Sequence, residues 1–309
     1  MSSVELLAFG DLYLEFSIYA NSLPMIGSDV RAEKVLISGG GDAANIAVGL
    51  SRLEIPSGVL GAVGKDHYGE ILTDLLRREN VDIRWVYSVE DKPTGTIVRL
   101  VLKRGRNYRF IYPGANIVKV AVPIDNYLRE IRALYISGKT LVDMRRTLAL
   151  RLLREAKNLN ILTFLKVDSG MLGEDMGGLL PNLSSLVDYW LMSEEELMEL
   201  LGTASTSALR FFMKRYGAKG IFVSMGFNGV YVFSKGVESK LPLPSTRRTR
   251  DVYEEELMDS YSVGFIFGIL NGYDMEKASK IATLVGDYRI KGEGSWHLPT
   301  YSEITSLLG

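Results

Sequence analysis

Short apolar runs alternate with segments whose apolar residues recur at helical spacing, and that alternation leaves few architectures open. Val4–Phe9 is a predominantly apolar run stopping at Gly10, as a strand buried on both faces requires. Ala43–Leu53 follows a glycine cluster and places Ile46, Ala47, Leu50 and Leu53 on one helical face. Ser57–Ala62 reads as a second strand, and Ile71, Leu72, Leu75 and Leu76 mark a helix running to about Glu79. The pattern resumes with strands at Ala133–Ile136, Ile161–Leu165, Leu186–Leu191, Gly220–Ser224 and Gly229–Phe233. Helices are predicted near Asp143–Lys157, Asp259–Asn271 and Met275–Tyr288. Strands buried on both faces and joined by helices form βαβ units, hence an α/β fold with a doubly wound, mainly parallel sheet. Two segments, about 12–37 and 86–120, carry short β-like runs instead. One of them holds a hairpin turn at Gly105–Asn107, and together they predict a small β-sheet lid. With no repeat or linker, residues 1–309 are expected to form a single domain.

Composition narrows the function by exclusion. The formal charge of −1 gives no electrostatic pull towards nucleic acid or an anionic membrane. Cys is absent, which excludes thiolate metal sites, and only two His are present, which argues against a multi-histidine zinc site. The N-terminus has no basic segment, and Val263–Leu270 is far shorter than the ~20 residues that span a bilayer, so a cytoplasmic protein is expected.

Three constellations could carry chemistry. Gly39-Gly40-Gly41-Asp42-Ala43-Ala44-Asn45 joins a β-like segment to a helix; its glycines admit a ligand close to the backbone, and Asn45 offers a donor and an acceptor to a hydroxyl. A tight strand-to-helix connection would need the same glycines. The segment is neither a Walker loop nor a G-x-G-x-x-G fingerprint. Asp259 opens Asp-Ser-Tyr-Ser-Val-Gly-Phe at the predicted start of a helix, where an aspartate serves equally as a base or as an N-cap. Ser193 and Glu196 are spaced as a capping box ahead of Leu197 and Leu200.

In order, these blocks resemble the ribokinase (PfkB) family of carbohydrate kinases. Gly40-Gly41, Asn45-Ile46-Ala47 and Arg52-Leu53 match G-G-x-x-x-N-x-A and the R-L that ends its helix. Gly61-Ala-Val-Gly-Lys-Asp-His-Tyr-Gly69 is similar to G-x-V-G-x-D-x-x-G, and Thr94-Gly95 and Pro113–Asn116 resemble the lid and the loop after it. The resemblance implies substrate contacts at Gly40, Gly41 and Asn45. It also implies one at Glu15, which stands where relatives usually carry Asp; the alternative is an exposed strand charge. It implies Asp259 as the catalytic base, Gly226 and Gly229 as the nucleotide-side turn, and Glu196 as a residue that places Mg²⁺ largely through water. ATP and Mg²⁺ would be the cofactors, a sugar or nucleoside the partner, and a homodimer through the lid the assembly.

One departure stands out. Active relatives carry a glycine-rich D-T-x-G-A-G before the base, whose bare N–H groups meet the phosphates. Here Asp251-Val-Tyr-Glu-Glu-Glu-Leu-Met-Asp259 is longer and lacks glycine, and Glu254, Glu255 and Glu256 stand where anions would bind. A carboxylate about 4 Å from a unit negative charge costs about 1 kcal/mol in water and more where water is excluded. Arg247, Arg248 and Arg250 could clamp phosphates instead, or the glutamates could bind Mg²⁺ directly. The expectation is an ATP-dependent sugar or nucleoside kinase with an altered phosphate site; the alternative is a non-catalytic pseudokinase that binds a sugar or nucleoside.

Overall fold

The computed structural model describes residues 4–102, 107–119, 127–172, 176–245 and 254–308, without the side chains at 176, 177, 254–256 and 308. The chain opens with β1 (Leu6–Phe9), every residue of it buried. It then leaves the main layer for β2 (Tyr13–Ala20) and β3 (Lys34–Gly40) and returns through α1 (Asp42–Arg52), β4 (Ser57–Gly64), α2 (His67–Arg78) and β5 (Asp82–Val89). A second excursion makes the hairpin β6 (Thr96–Leu102) and β7 (Asn107–Tyr112); most of its connection, at 103–106, lies outside the described residues.

Next come β8 (Ala133–Ser137), α3 (Arg146–Asn158), β9 (Leu162–Lys166), α4 (Met176–Leu183), β10 (Tyr189–Ser193), α5 (Glu194–Leu201), α6 (Thr206–Tyr216) and β11 (Gly220–Ser224). The chain finishes with β12 (Val230–Ser234), β13 (Val237–Leu241), α7 (Glu254–Leu270), α8 (Met275–Arg289) and α9 (Tyr301–Leu308).

The large sheet has the order β13-β12-β11-β10-β9-β8-β1-β4-β5; β12 pairs antiparallel with both β11 and β13, and every other pair is parallel. The small sheet, β3-β2-β6-β7, is the lid. Its second segment is shorter than the sequence suggests, because Val86–Val89 pairs with β4 as part of the main sheet's edge. The chain winds outward from β1 in both directions, so β1 and β8 flank the topological switch point. In such sheets ligands bind there, beyond the carboxyl ends of the strands.

One apolar core lies between the sheet and α1, α7 and α8; the other lies under α3 and α6 on the opposite face. From Leu257 to Leu270 helix α7 is buried at every position but Ile269, as a helix enclosed on every side would be. Its approach to α8 is close: a Cβ on Gly264 would sit 2.6 Å from the Ala282 Cα, so only glycine lets the two helices touch. Among the described residues no helix is long and apolar enough to cross a membrane.

Candidate active site

Parallel strands deliver polar residues to one rim. Ser137 ends β8, Lys166 ends β9, Ser193 ends β10 and Ser224 ends β11. A cleft of about 890 Å³ opens over this rim, lined by Asn45, Lys166, Glu196, Gly226 and Asp259 among others. The structure thus brings together residues scattered over more than two hundred sequence positions.

The first wall is the β3–α1 turn. Gly41 holds φ +97°, and a Cβ there would lie 2.3 Å from the Asp11 carbonyl oxygen, so the turn requires glycine on both counts. Gly41 and Asn45 line the cleft, whereas Gly40 backs onto the Glu15 carboxylate. Asn45 Nδ2 donates to Asp259 Oδ2 at 2.8 Å, and its Oδ1 accepts from Trp296 Nε1 at 3.0 Å. The indole therefore fixes which end of the amide faces the aspartate.

Asp259 lies in the second turn of α7, not at its cap. The helix begins by Glu254, five residues before the expected start, because Glu-Glu-Glu-Leu-Met are good helix formers and acids suit a first turn. The N-cap reading is overturned. Buried at 7% exposure, Asp259 receives the Lys166 ammonium at 2.6 Å on Oδ1. Burial alone would pull the Lys166 pKa down, but the Asp259 and Asp42 carboxylates outweigh it and hold the ammonium well above the ordinary lysine value.

Asp42 opens α1 beside them and accepts from the Asp11 amide at 3.1 Å and from the Ser137 hydroxyl. Its burial opposes ionisation. The charges of Lys139 and Lys166, with the Ser137 and Asp11 bonds, prevail and keep the carboxyl below the usual range.

Glu15 is not an exposed strand charge. Its side chain is 1% exposed and ion-paired through Oε1 to Arg99, itself 0% exposed, at 3.0 Å. Ser17 donates to the same oxygen at 3.0 Å and Ser295 to Oε2 at 2.8 Å. The carboxylate is satisfied from within the protein, on the inner face of the lid.

After β11, Gly226–Asn228 forms a single 3-10 turn closed by Gly229, and the Tyr261 hydroxyl of α7 donates to the Gly226 carbonyl at 2.9 Å. The helix that carries Asp259 thereby also fixes this turn. Ser193 and Glu196 make the full capping box: Glu196 N donates to Ser193 Oγ at 3.1 Å, and Ser193 N to Glu196 Oε2 at 2.7 Å. Burial raises the Glu196 pKa, and the Ser193 bonds and Lys166 offset this only in part; Asp168 adds to the rise.

Among the described residues no three acidic or histidine side chains converge on one metal position. The Asp168 and Glu196 carboxylates suit Mg²⁺ held as that ion usually is, through its waters and the phosphates of a nucleotide. Arg247, Arg248, Arg250 and Asp251 lie outside the described residues, as do the side chains of Glu254, Glu255 and Glu256.

Sequence reasoning missed Lys166, Arg99, Asp42, Ser295 and Trp296. Lys166 had a signal, since a lysine ending a buried parallel strand points to the ligand edge of the sheet. Ser295 and Trp296 sit in an irregular segment with no local pattern to reveal them.

Compared with known proteins, residues 4–254 match the pfkB family carbohydrate kinase pattern. The 2-dehydro-3-deoxygluconokinase of Bacillus subtilis is 24% identical over 284 residues, covering 87% of this chain and 86% of that one. The 5-dehydro-2-deoxygluconokinase of Clostridium perfringens is 27% identical over 255 residues, covering 77% and 74%. Among solved structures, Arabidopsis thaliana ribokinase complexed with ribose and ATP superimposes with a TM-score of 0.81 at 20% identity, over 99% of both chains. That likeness bears on the fold.

Proposed function

Since the chain belongs to the pfkB family of carbohydrate kinases, we propose that it transfers the γ-phosphoryl group of ATP to a sugar hydroxyl, with Asp259 as the base. The observation that carries this reading is Asp259 itself, a buried carboxylate at the cleft, held between Asn45 and Lys166. In the transfer the hydroxyl gives its proton to Asp259 as its oxygen attacks phosphorus in line. Asn45, clamped by Trp296, keeps the carboxylate aimed; Gly41 leaves room for the sugar; Gly226 and Gly229 shape the nucleotide end. Glu196 and Asp168 would hold hydrated Mg²⁺, which offsets phosphate charge. Glu15 and Arg99 brace the lid wall above the sugar.

Purified protein incubated with Mg-ATP and a panel of 2-dehydro-3-deoxygluconate, 5-dehydro-2-deoxygluconate, ribose, fructose and adenosine should release ADP with at least one acceptor. A sugar that binds in calorimetry with no ADP release under any condition would refute the kinase reading and favour the sugar-binding pseudokinase.

We also propose that the lid pairs two copies. Its outer face carries the cross-strand rows Val35-Ile18-Leu100-Tyr108 and Ile37-Phe16-Val98-Phe110. Val35, Ile37, Tyr108 and Phe110 are exposed, the last at 62%. Pairing this exposed apolar face with its own copy about a two-fold axis would cover both at once. Light scattering on the eluting protein should give twice the chain mass, and Phe110→Lys should give the single mass. A wild-type monomer at micromolar concentration would refute the pairing.

A further inference from the structure

The Lys166–Asp259 pair does more than balance a buried charge. Around it the cleft is largely anionic, with Asp42, Asp168, Glu194 and Glu196 among its lining. Into this setting a nucleotide would bring several more negative charges. Lys166 reaches in from the end of β9 with its side chain only 18% exposed, and its ammonium lies 2.6 Å from Asp259 Oδ1. Asp259 Oδ2 is taken by Asn45, so the ammonium and the amide hold opposite oxygens of one carboxylate.

This geometry fixes where a reacting phosphoryl group would stand. An acceptor hydroxyl bonded to Asp259 attacks phosphorus from about 3–3.5 Å, so the phosphoryl oxygens come within reach of whatever else is bonded to that carboxylate. Charge spread over those oxygens has to meet a positioned cation or donor. Resting on the kinase reading, we propose that Lys166 is a catalytic residue that binds the phosphoryl group in transfer.

An ammonium has three N–H groups, so one can stay on Asp259 while another turns to a phosphoryl oxygen. The hydroxyl proton passes to Asp259, the new bond forms between the sugar oxygen and phosphorus, and the bond to the leaving ADP oxygen breaks with its electron pair. Lys166 stays protonated throughout. The ion pair thus supplies the base and the cation from one contact, beside a helix start whose sequence is acidic rather than glycine-rich.

Calorimetry with ADP and with the non-hydrolysable β,γ-imido analogue of ATP tests this apart from turnover. Wild-type protein should bind the triphosphate analogue more tightly than ADP. Lys166→Met should abolish that preference, leave ADP affinity within about threefold, and lower kcat by roughly 10²–10³-fold. Lys166→Arg, which keeps the charge, should recover kcat to within about tenfold of wild type. A Lys166→Met protein that keeps the triphosphate preference, or kcat within about fivefold, overturns the assignment.

Where Lys166→Met fails to fold because Asp259 is left uncompensated, Lys166→Met/Asp259→Asn is compared with Asp259→Asn in the same binding assay. Equal triphosphate preference in those two overturns the assignment. Failure of the kinase reading looks different: no acceptor releases ADP, yet the binding comparison still decides Lys166. Wild-type protein with no triphosphate affinity would overturn both.

Discussion

Replacing Asp259 with asparagine should lower kcat by about 10³-fold while the sugar still binds, because the variant keeps the shape of the base and loses its ability to take a proton. A structural cost should accompany the kinetic one. Asp259 accepts from two donors, Asn45 Nδ2 and Lys166 Nζ, and an asparagine can accept only on its single oxygen. Turned to suit Lys166, its NH₂ meets the NH₂ of Asn45. Asn45 cannot turn in response without dropping the Trp296 N–H from its Oδ1. One buried bond is therefore lost, at about 1–3 kcal/mol, and the Lys166 ammonium loses its ion-pair partner as well. Sugar-dependent ADP release together with calorimetric sugar binding separates the two effects. Retained turnover within about tenfold of wild type would remove Asp259 from the role of base.

The second large effect is on stability. Arg99→Met should destabilise the protein by about 3–5 kcal/mol, because it takes away the guanidinium with which the nearly buried Glu15 carboxylate is ion-paired. Ser17 and Ser295 would still donate to it, but two hydroxyls do not neutralise a carboxylate. The melting temperature should fall on the order of 10 °C. Adding Glu15→Gln to Arg99→Met should recover much of that loss, since the partner left behind is then an amide that the same hydroxyls satisfy. Thermal melts of both single variants and the double close the cycle. Additive losses would mean the pair is not coupled.

The sequence disclosed local rules well and long-range ones poorly. Strand–helix alternation, the glycines before α1 and the Ser193–Glu196 capping box depend on neighbours a few residues apart, and each is present in the structure. The lid's hairpin was legible for the same reason, apart from its boundary with β5. Asp259 reads as a helix cap from its neighbours downstream, but the helix-forming glutamates ahead of it carry α7 back to Glu254. The electrostatics of the cleft were not legible. Nothing near Lys166 in sequence reveals that it meets Asp259, and nothing in Gly292–Trp296 reveals that Ser295 and Trp296 close onto Glu15 and Asn45.

Those closing bonds span almost the whole chain: 214 positions for Asn45–Asp259, 251 for Asn45–Trp296 and 280 for Glu15–Ser295. A ribosome delivers the chain from its N-terminus, so the lid and the first βα units emerge long before the residues that lock them. A nascent chain held short of Ser295 would own the Glu15–Arg99 pair without its last hydroxyl, and Asn45 with no indole to orient it. Competence in this protein therefore waits until Ser295 and Trp296 have been made and can fasten onto Glu15 and Asn45.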